Sequence, residues 1–294
     1  IDLTAVYMAI ILLGKTLLPR RFAKVLEYLH QRFVKPVHTR LTLDVASPTT
    51  TSSPSAQALG FAIDHQISTV EGQLRVMGLT KDFAPLVVLL GHGATSQNNP
   101  HLSAYDCGAC GGNHGGPNAR ALATLANKPE IRLALRERGI DIPDQTHFIG
   151  AEHNTTSDLI TYYETERIPP SHQQGFARLV RDMDQVRAKN AQERCRLLPR
   201  SPKGSKPLEA LHHMEQRSVD FSQVNPEWGH ATNASVIVGR RTLSKGLFLD
   251  RRTFLQSYDP HQDPEGKILE TILTAVGPVV AGIGLEYYFS TVDN

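Results

Sequence analysis

The stretch Leu86-Val87-Val88-Leu89-Leu90-Gly91-His92-Gly93 decides the fold. A continuous apolar run of this length suits a parallel strand covered on both faces. It ends in Gly-His-Gly, and open α/β sheets bind ligands just beyond the carboxyl ends of their strands. The local grammar therefore sets His92 where a site would lie. Residues 94–116 are polar and rich in glycine, with five glycines from Gly108 to Gly116. Pro117 and Asn118 then open a helix carrying Ala121, Leu122 and Leu125. Lys128-Pro129 restarts it, with Pro129 at a first helical position, and Ile131 and Leu135 carry it to Gly139. Residues 146–151 read as the next strand, ending in Glu152-His153-Asn154. This is a β-loop-α-β unit with polar residues at both strand ends.

Working outward, residues 63–77 predict a helix that Gly78 stops from the C′ position. Residues 5–33 predict helix broken at Pro19, with Val25, Leu26, Leu29 and Phe33 as an apolar stripe. The Ser/Thr/Pro stretch 47–55 is a loop or linker. Three parts follow: a helical N-terminal arm (1–46), a linker (47–58) and an α/β body (59–294). Downstream, Ser171 and Gln174 after Pro169-Pro170 predict a capping box. The helix it opens carries Phe176, Leu179, Val180, Met183 and Val186 on one face and frays into charge near Arg194. Residues 199–207 form a basic linker, 234–238 and 253–257 are candidate strands, and 268–273 is helical. The apolar stretch from Gly277 to Phe289 reads as core, with docking on a membrane partner as the alternative. The expected class is α/β, a mostly parallel sheet flanked by helices.

Composition narrows the function. Of 294 residues, 40% are apolar and 20% charged, and 31 Lys and Arg against 29 Asp and Glu leave a net charge of +2. Phosphate binding needs a basic face, so nucleic acid is not the expected partner. The basic runs 194–206 and 240–252 are interrupted by apolar residues and read as solvated surface. Three cysteines, 107, 110 and 195, are no disulfide framework and suit a reducing compartment. The N-terminal apolar stretch at 5–13 is too short to span a bilayer, and no other segment reads as a span. The chain opens on Ile1 and closes on Asn294 in mid-pattern, which reads as two cut ends.

Chemistry concentrates in one segment. His92, Asp106, Cys107, Cys110 and His114 fall within 23 residues, and thiolate and imidazole are the donors zinc prefers. Two arrangements compete. His92, Cys107, Cys110 and His114 form a closed structural site, or only His92 and Cys107 bind and the other ligands come from elsewhere. Cys107-x-x-Cys110 also has a redox reading, set against by its distance from the next helix start. A cysteine hydrolase would use Cys107 with His92 or His153 as base. Cys195 reads as an ordinary helix residue and Trp228 as a core anchor.

Asp106-Cys107-Gly108-Ala109 is similar to the Asp-Cys-Gly-Ala of β-carbonic anhydrases, whose Cys binds zinc. Those enzymes place their ligand His three residues before that Cys, where this chain has Ala104. A longer set of motifs resembles the Dab inorganic-carbon pump A-subunit family. It comprises Gly91-His92-Gly93, Asn99-Pro100, Asp106-Cys107-Gly108-Ala109-Cys110-Gly111-Gly112 and Gly116-Pro117-Asn118-Ala119-Arg120. His153-Asn154-Thr155, Pro226-Glu227-Trp228-Gly229 and the run from Tyr287 to Asn294 extend it, with gaps, from about residue 40 to the end. The resemblance implies a β-carbonic-anhydrase-like sheet and zinc held by His92 and Cys107. By position rather than by resemblance, Asp106 and His153 are candidates to orient a ligand, with a loop cap as the alternative for each. The resemblance also implies an upstream Cys-x-Asp-x-Arg half-site, which this chain lacks: no Cys precedes 107, and Asp44-Val45-Ala46 has neither Cys nor Arg. The chain is thus expected to be a fragment with half a metal site and no CO2 hydration of its own. In a complete site zinc lowers the pKa of bound water to about 7, and CO2 becomes bicarbonate. The implied setting is the cytoplasmic face of the membrane, peripheral, beside a membrane-embedded, proton-channel-like partner.

Overall fold

The computed structural model describes residues 3–34, 39, 41–45, 60–100, 102–224, 226 and 233–289. The linker, most of the Trp228 motif and the last five residues lie outside the described residues. Helices α1 (Leu3–Leu17) and α2 (Pro19–Phe33) form the arm and break at Pro19 as expected. Helix α3 (Ile63–Val76) is followed by Met77 and by Gly78 at φ 68°. Strand β1 (Leu86–Gly93) leads through α4 (Leu102–Tyr105) and a 3₁₀ turn at Gly108–Cys110 into α5 (Gly116–Ala126) and α6 (Pro129–Glu137). The chain returns in β2 (His147–Asn154), turns into β3 (Ile160–Tyr162) and enters α7 (Gln173–Cys195) and α8 (Pro207–Val219). Strands β4 (Ser235–Gly239) and β5 (Thr253–Ser257) precede α9 (Lys267–Tyr287).

The two strands read from sequence do pair in parallel, from Leu86 beside His147 to Gly93 beside Asn154, so His92 lies beside His153. Both strands run on through their polar ends rather than stopping before them. The expected sheet is divided, however. One sheet has the order β1-β2-β3 with β3 antiparallel, and β4 and β5 form a separate parallel pair. The chain is mixed α/β, and among the described residues β1 is an edge strand. The main core lies between this sheet and α3, α5 and α6, where Val70, Leu74, Ile131, Leu135, Ile140 and Phe148 are buried.

Three sequence expectations are corrected and one is refined. Ser171 makes no capping box: it sits in a 3₁₀ turn, its Oγ bonds His172 Nδ1 at 2.9 Å, and α7 starts at Gln173. The apolar stripe of α7 is half-buried at Phe176, Leu179, Val180 and Met183, and full burial comes later in the helix. Val186 is exposed, and burial falls at Ala191, Arg194 and Cys195, where α8 packs with Ala210 and Met214. Arg194 is not solvated charge but a buried cation whose Nη1 lies 2.7 Å from Asp158 Oδ2. Finally, α9 is not core. Its stretch Lys267–Leu285 is long and apolar enough to cross a membrane by length and composition, yet only 11% of it is buried. Ile272 and Ile283 are its buried residues, the latter packed with Ala94 and Tyr105.

The Asp158–Arg194 pair fixes the turn after β2. Asp158 takes φ 60° there, and its Oδ1 also accepts from Asn190 at 2.6 Å and lies 3.0 Å from His153 Nε2. Burial pushes the Asp158 carboxyl up, but Arg194 and His153 overcome it and hold the group below the usual carboxylate value. A carboxyl with a lowered folded pKa contributes stability above its unfolded pKa of about 3.9, and that contribution is lost as pH falls through the folded value. Urea unfolding of this chain is therefore expected to show stability falling on acidification below about pH 4. Asp158→Asn, which strands a buried guanidinium, should cost about 3–5 kcal/mol at pH 7 and flatten the acid limb. A loss under about 1 kcal/mol would show the pair to be dispensable.

Candidate metal centre

The site is built where β1 meets the first turn of α5. Gly91 touches the backbone of Gly115 and Gly116 so closely that a Cβ on it would fall 2.4 Å from the Gly115 carbonyl. The Gly115 N–H donates to the His92 carbonyl at 2.7 Å. One strand over, a Cβ on Gly150 would fall 2.6 Å from Arg120 Cα. Helix α5 is therefore seated on the ends of β1 and β2 by main chain on main chain. The intervening glycine-rich segment has to fold back over the strand end.

That segment brings His92 and Cys107 to the same pocket, of about 600 Å³, between α3, the end of β1 and α5. Leu90, Leu122 and Met77 supply apolar wall, and Cys110 and Asn118 also line it. Burial, opposed by Asp106, holds the His92 imidazole below its ordinary pKa, which favours the neutral ring a metal needs. Cys110 does not turn away, as the two-ligand reading expects. Its thiol makes a side-chain hydrogen bond with Cys107 and is pushed up to about 11 by burial and by that neighbour. Its Sγ also accepts from Asn118 Nδ2 at 3.2 Å.

His114 does turn elsewhere. Its Nδ1 lies 2.8 Å from Glu152 Oε1, and its Nε2 lies 3.9 Å from Asp106 Oδ1. Burial lowers the His114 imidazole, but Glu152 and Asp106 raise it on balance. Asp106, itself 5% exposed, accepts the Ala94 N–H at 2.6 Å and so ties the segment back to the end of β1. His153 sets its Nε2 3.0 Å from Asp158 Oδ1, at the turn after β2. Glu152, which bonds both His114 and the Tyr163 hydroxyl, was passed over in the sequence as a mere strand end. Its position opposite Gly91 in the register was the signal available.

The donor chemistry fits zinc, with one imidazole and one thiolate side chain on a single pocket and a second thiol beside them. The number of donors does not complete a site: among the described residues no three His, Cys, Asp or Glu side chains are grouped to hold a metal ion. The closed four-ligand arrangement is thus not formed here.

Comparison with known proteins adds a family. The family described as probable inorganic carbon transporter subunit DabA matches residues 1–294. A protein of that name from Methylococcus capsulatus is 51% identical over all of this chain, which covers 27% of it. One from Sorangium cellulosum is 50% identical over 98% of this chain, which covers 28% of it. One from Nitrosococcus oceani is 45% identical over the whole chain, which covers 26% of it. The chain spans about a quarter of the length of these relatives. No solved structure matches.

The glycine seat makes a test of the geometry. Gly91→Ala forces its Cβ into the Gly115 backbone and should destabilise the chain by about 1–3 kcal/mol. It should also speed labelling of Cys107 and Cys110 by a thiol reagent, while the buried Cys195 stays slow. Unchanged labelling would show that the seat does not hold the cysteine loop.

Proposed function

The chain belongs to the DabA family, and on that premise we propose that it forms part of the zinc-binding subunit of an energy-coupled inorganic-carbon uptake pump. The observation that carries this reading is the meeting of His92 and Cys107 on one pocket at the end of β1. His92 and Cys107 would hold the metal, and further ligands would come from elsewhere in the full-length protein. When bound, zinc supplies an acidified water for hydrating CO2 to bicarbonate. The chain's own residues do the rest. Burial keeps His92 neutral, Asp106 anchors the loop that carries Cys107, and the apolar walls of Leu90 and Leu122 favour a small uncharged gas over ions. The parallel β1–β2 unit with its site at the strand ends supports the carbonic-anhydrase-like sheet that the motif implies.

The proposed setting is the cytoplasmic face of the membrane, next to a membrane-embedded, proton-channel-like partner. Exposed apolar surface supports it: α9 is largely uncovered, and Tyr7, Met8, Ile10, Leu13 and Leu17 of α1 face outward.

The facing thiols favour a second arrangement, in which Cys110 shares the metal with Cys107. Metal analysis of a full-length relative carrying this segment separates the two. The intact chain should retain about one zinc. Cys107→Ser should abolish retention, because a hydroxyl is a poor donor to a soft metal, and Cys110→Ser should keep most of it. Equal loss in both would favour the shared arrangement.

The isolated chain, with too few ligands, should bind zinc weakly, lose it on dialysis and leave CO2 hydration at the buffer rate. Stopped-flow hydration clearly above that rate would refute the half-site reading.

A further inference from the structure

The loop between β1 and α5 places two thiols on one side of a single turn. Cys107 caps the 3₁₀ turn Gly108–Cys110 and Cys110 ends it, while α5 begins later, at Gly116, as the sequence reading has it. Cys107 itself has extended backbone, with φ −71° and ψ 111°, and its side chain hydrogen-bonds with the Cys110 thiol. The Cys110 N–H donates to the Cys107 carbonyl at 2.9 Å, and the Gly112 N–H donates to the same carbonyl at 3.1 Å. The Cys107 N–H donates to the Asn113 carbonyl at 3.0 Å. The turn is thus closed by its own backbone with the sulfurs already facing. Both cysteines are partly exposed and line the open pocket. Cys195, by contrast, is a buried core thiol.

We propose that Cys107 and Cys110 are a reversible redox pair, and that their disulfide and the metal compete for Cys107. The competition rests on the reading of Cys107 as a ligand; the pair itself rests on the turn alone. The oxidant is a small-molecule disulfide of the glutathione class. One cysteine thiolate attacks a sulfur of that disulfide, breaking its S–S bond, and one glutathione thiolate leaves. The second cysteine thiolate attacks the resulting mixed disulfide and expels the other. The chain loses two electrons and two protons, the oxidant gains the two electrons, and the protons go to the released thiolates or to solvent. The oxidised loop has no thiolate at residue 107 to offer a metal, so an oxidising cytoplasm would idle the site without unfolding it.

The test uses the full-length protein, equilibrated with mixtures of oxidised and reduced glutathione, with and without added zinc, and with metal content measured in parallel. Mass spectrometry of the tryptic peptide 82–120 reads the result, since its only cysteines are Cys107 and Cys110. Without zinc the peptide should lose the mass of two hydrogens and regain it with a dithiol reductant. Zinc at about ten times its Kd, binding only the reduced pair, should lower the oxidised-to-reduced ratio about tenfold. Cys110→Ser should show only a glutathione adduct on Cys107. Free thiols or single adducts at every ratio in the unmodified protein would overturn the pair, even if zinc binds. A ratio unmoved by bound zinc would overturn the competition. A disulfide formed in a protein that binds no zinc would overturn both the competition and the metal reading, and leave the pair standing.

Discussion

The contact on which the structure depends is main chain against main chain, where Gly91 of β1 meets Gly115 and Gly116 at the head of α5. No side chain fits there, so the distance between strand and helix is set by backbone alone. Everything that looks functional hangs from this seat. It closes the segment between β1 and α5 over the strand end and so brings Cys107 to His92. It aims His114 at Glu152, and with the matching contact at Gly150 it fixes how α5 lies across β1 and β2. Packing then consolidates the geometry, with Leu89, Ala119 and Ala123 buried in the layer behind the site.

A second constraint holds the sheet from its other side. Asp158 and Arg194 are both nearly inaccessible and bond each other, with Asn190 and His153 completing the carboxylate's partners. A pair of this kind gives little net stability against an apolar replacement. Its value here is positional. It holds the left-handed turn after β2, and with it His153, in register beside His92. The carboxyl end of the parallel pair is therefore held by glycine contacts on one side and a buried ion pair on the other.

The parts legible from sequence were those governed by local rules. The apolar run of β1, the stop at Gly78, the restart at Pro129 and the polar ends of two parallel strands each depend on residues close in the chain. What was not legible depends on distant neighbours. Arg194 looks like one more charge at a fraying helix end until Asp158, 36 residues earlier, is placed against it. The stripe on α7 is periodic and half-buried, but the deepest burial falls at Ala191 and Cys195, where α8 packs, and that depends on a helix the periodicity does not show. The Ser171 box failed because Pro170 starts a 3₁₀ turn that takes Ser171 with it. In the site, residue chemistry pointed to His92, Cys107, Cys110 and His114 alike and only the resemblance singled out the first two; the orientation of Cys110 is decided by how tightly the backbone turns between the two cysteines.

The position of β1 at the rim of its sheet has a further consequence. A rim strand offers a row of main-chain donors and acceptors that another strand can join. This rim runs alongside the pocket that His92 and Cys107 share, and Leu90 stands half-exposed on it. Any strand laid parallel along the free side would bring its own carboxyl end to the mouth of that pocket. A strand joined there would lengthen the sheet at the very pocket that His92 and Cys107 line.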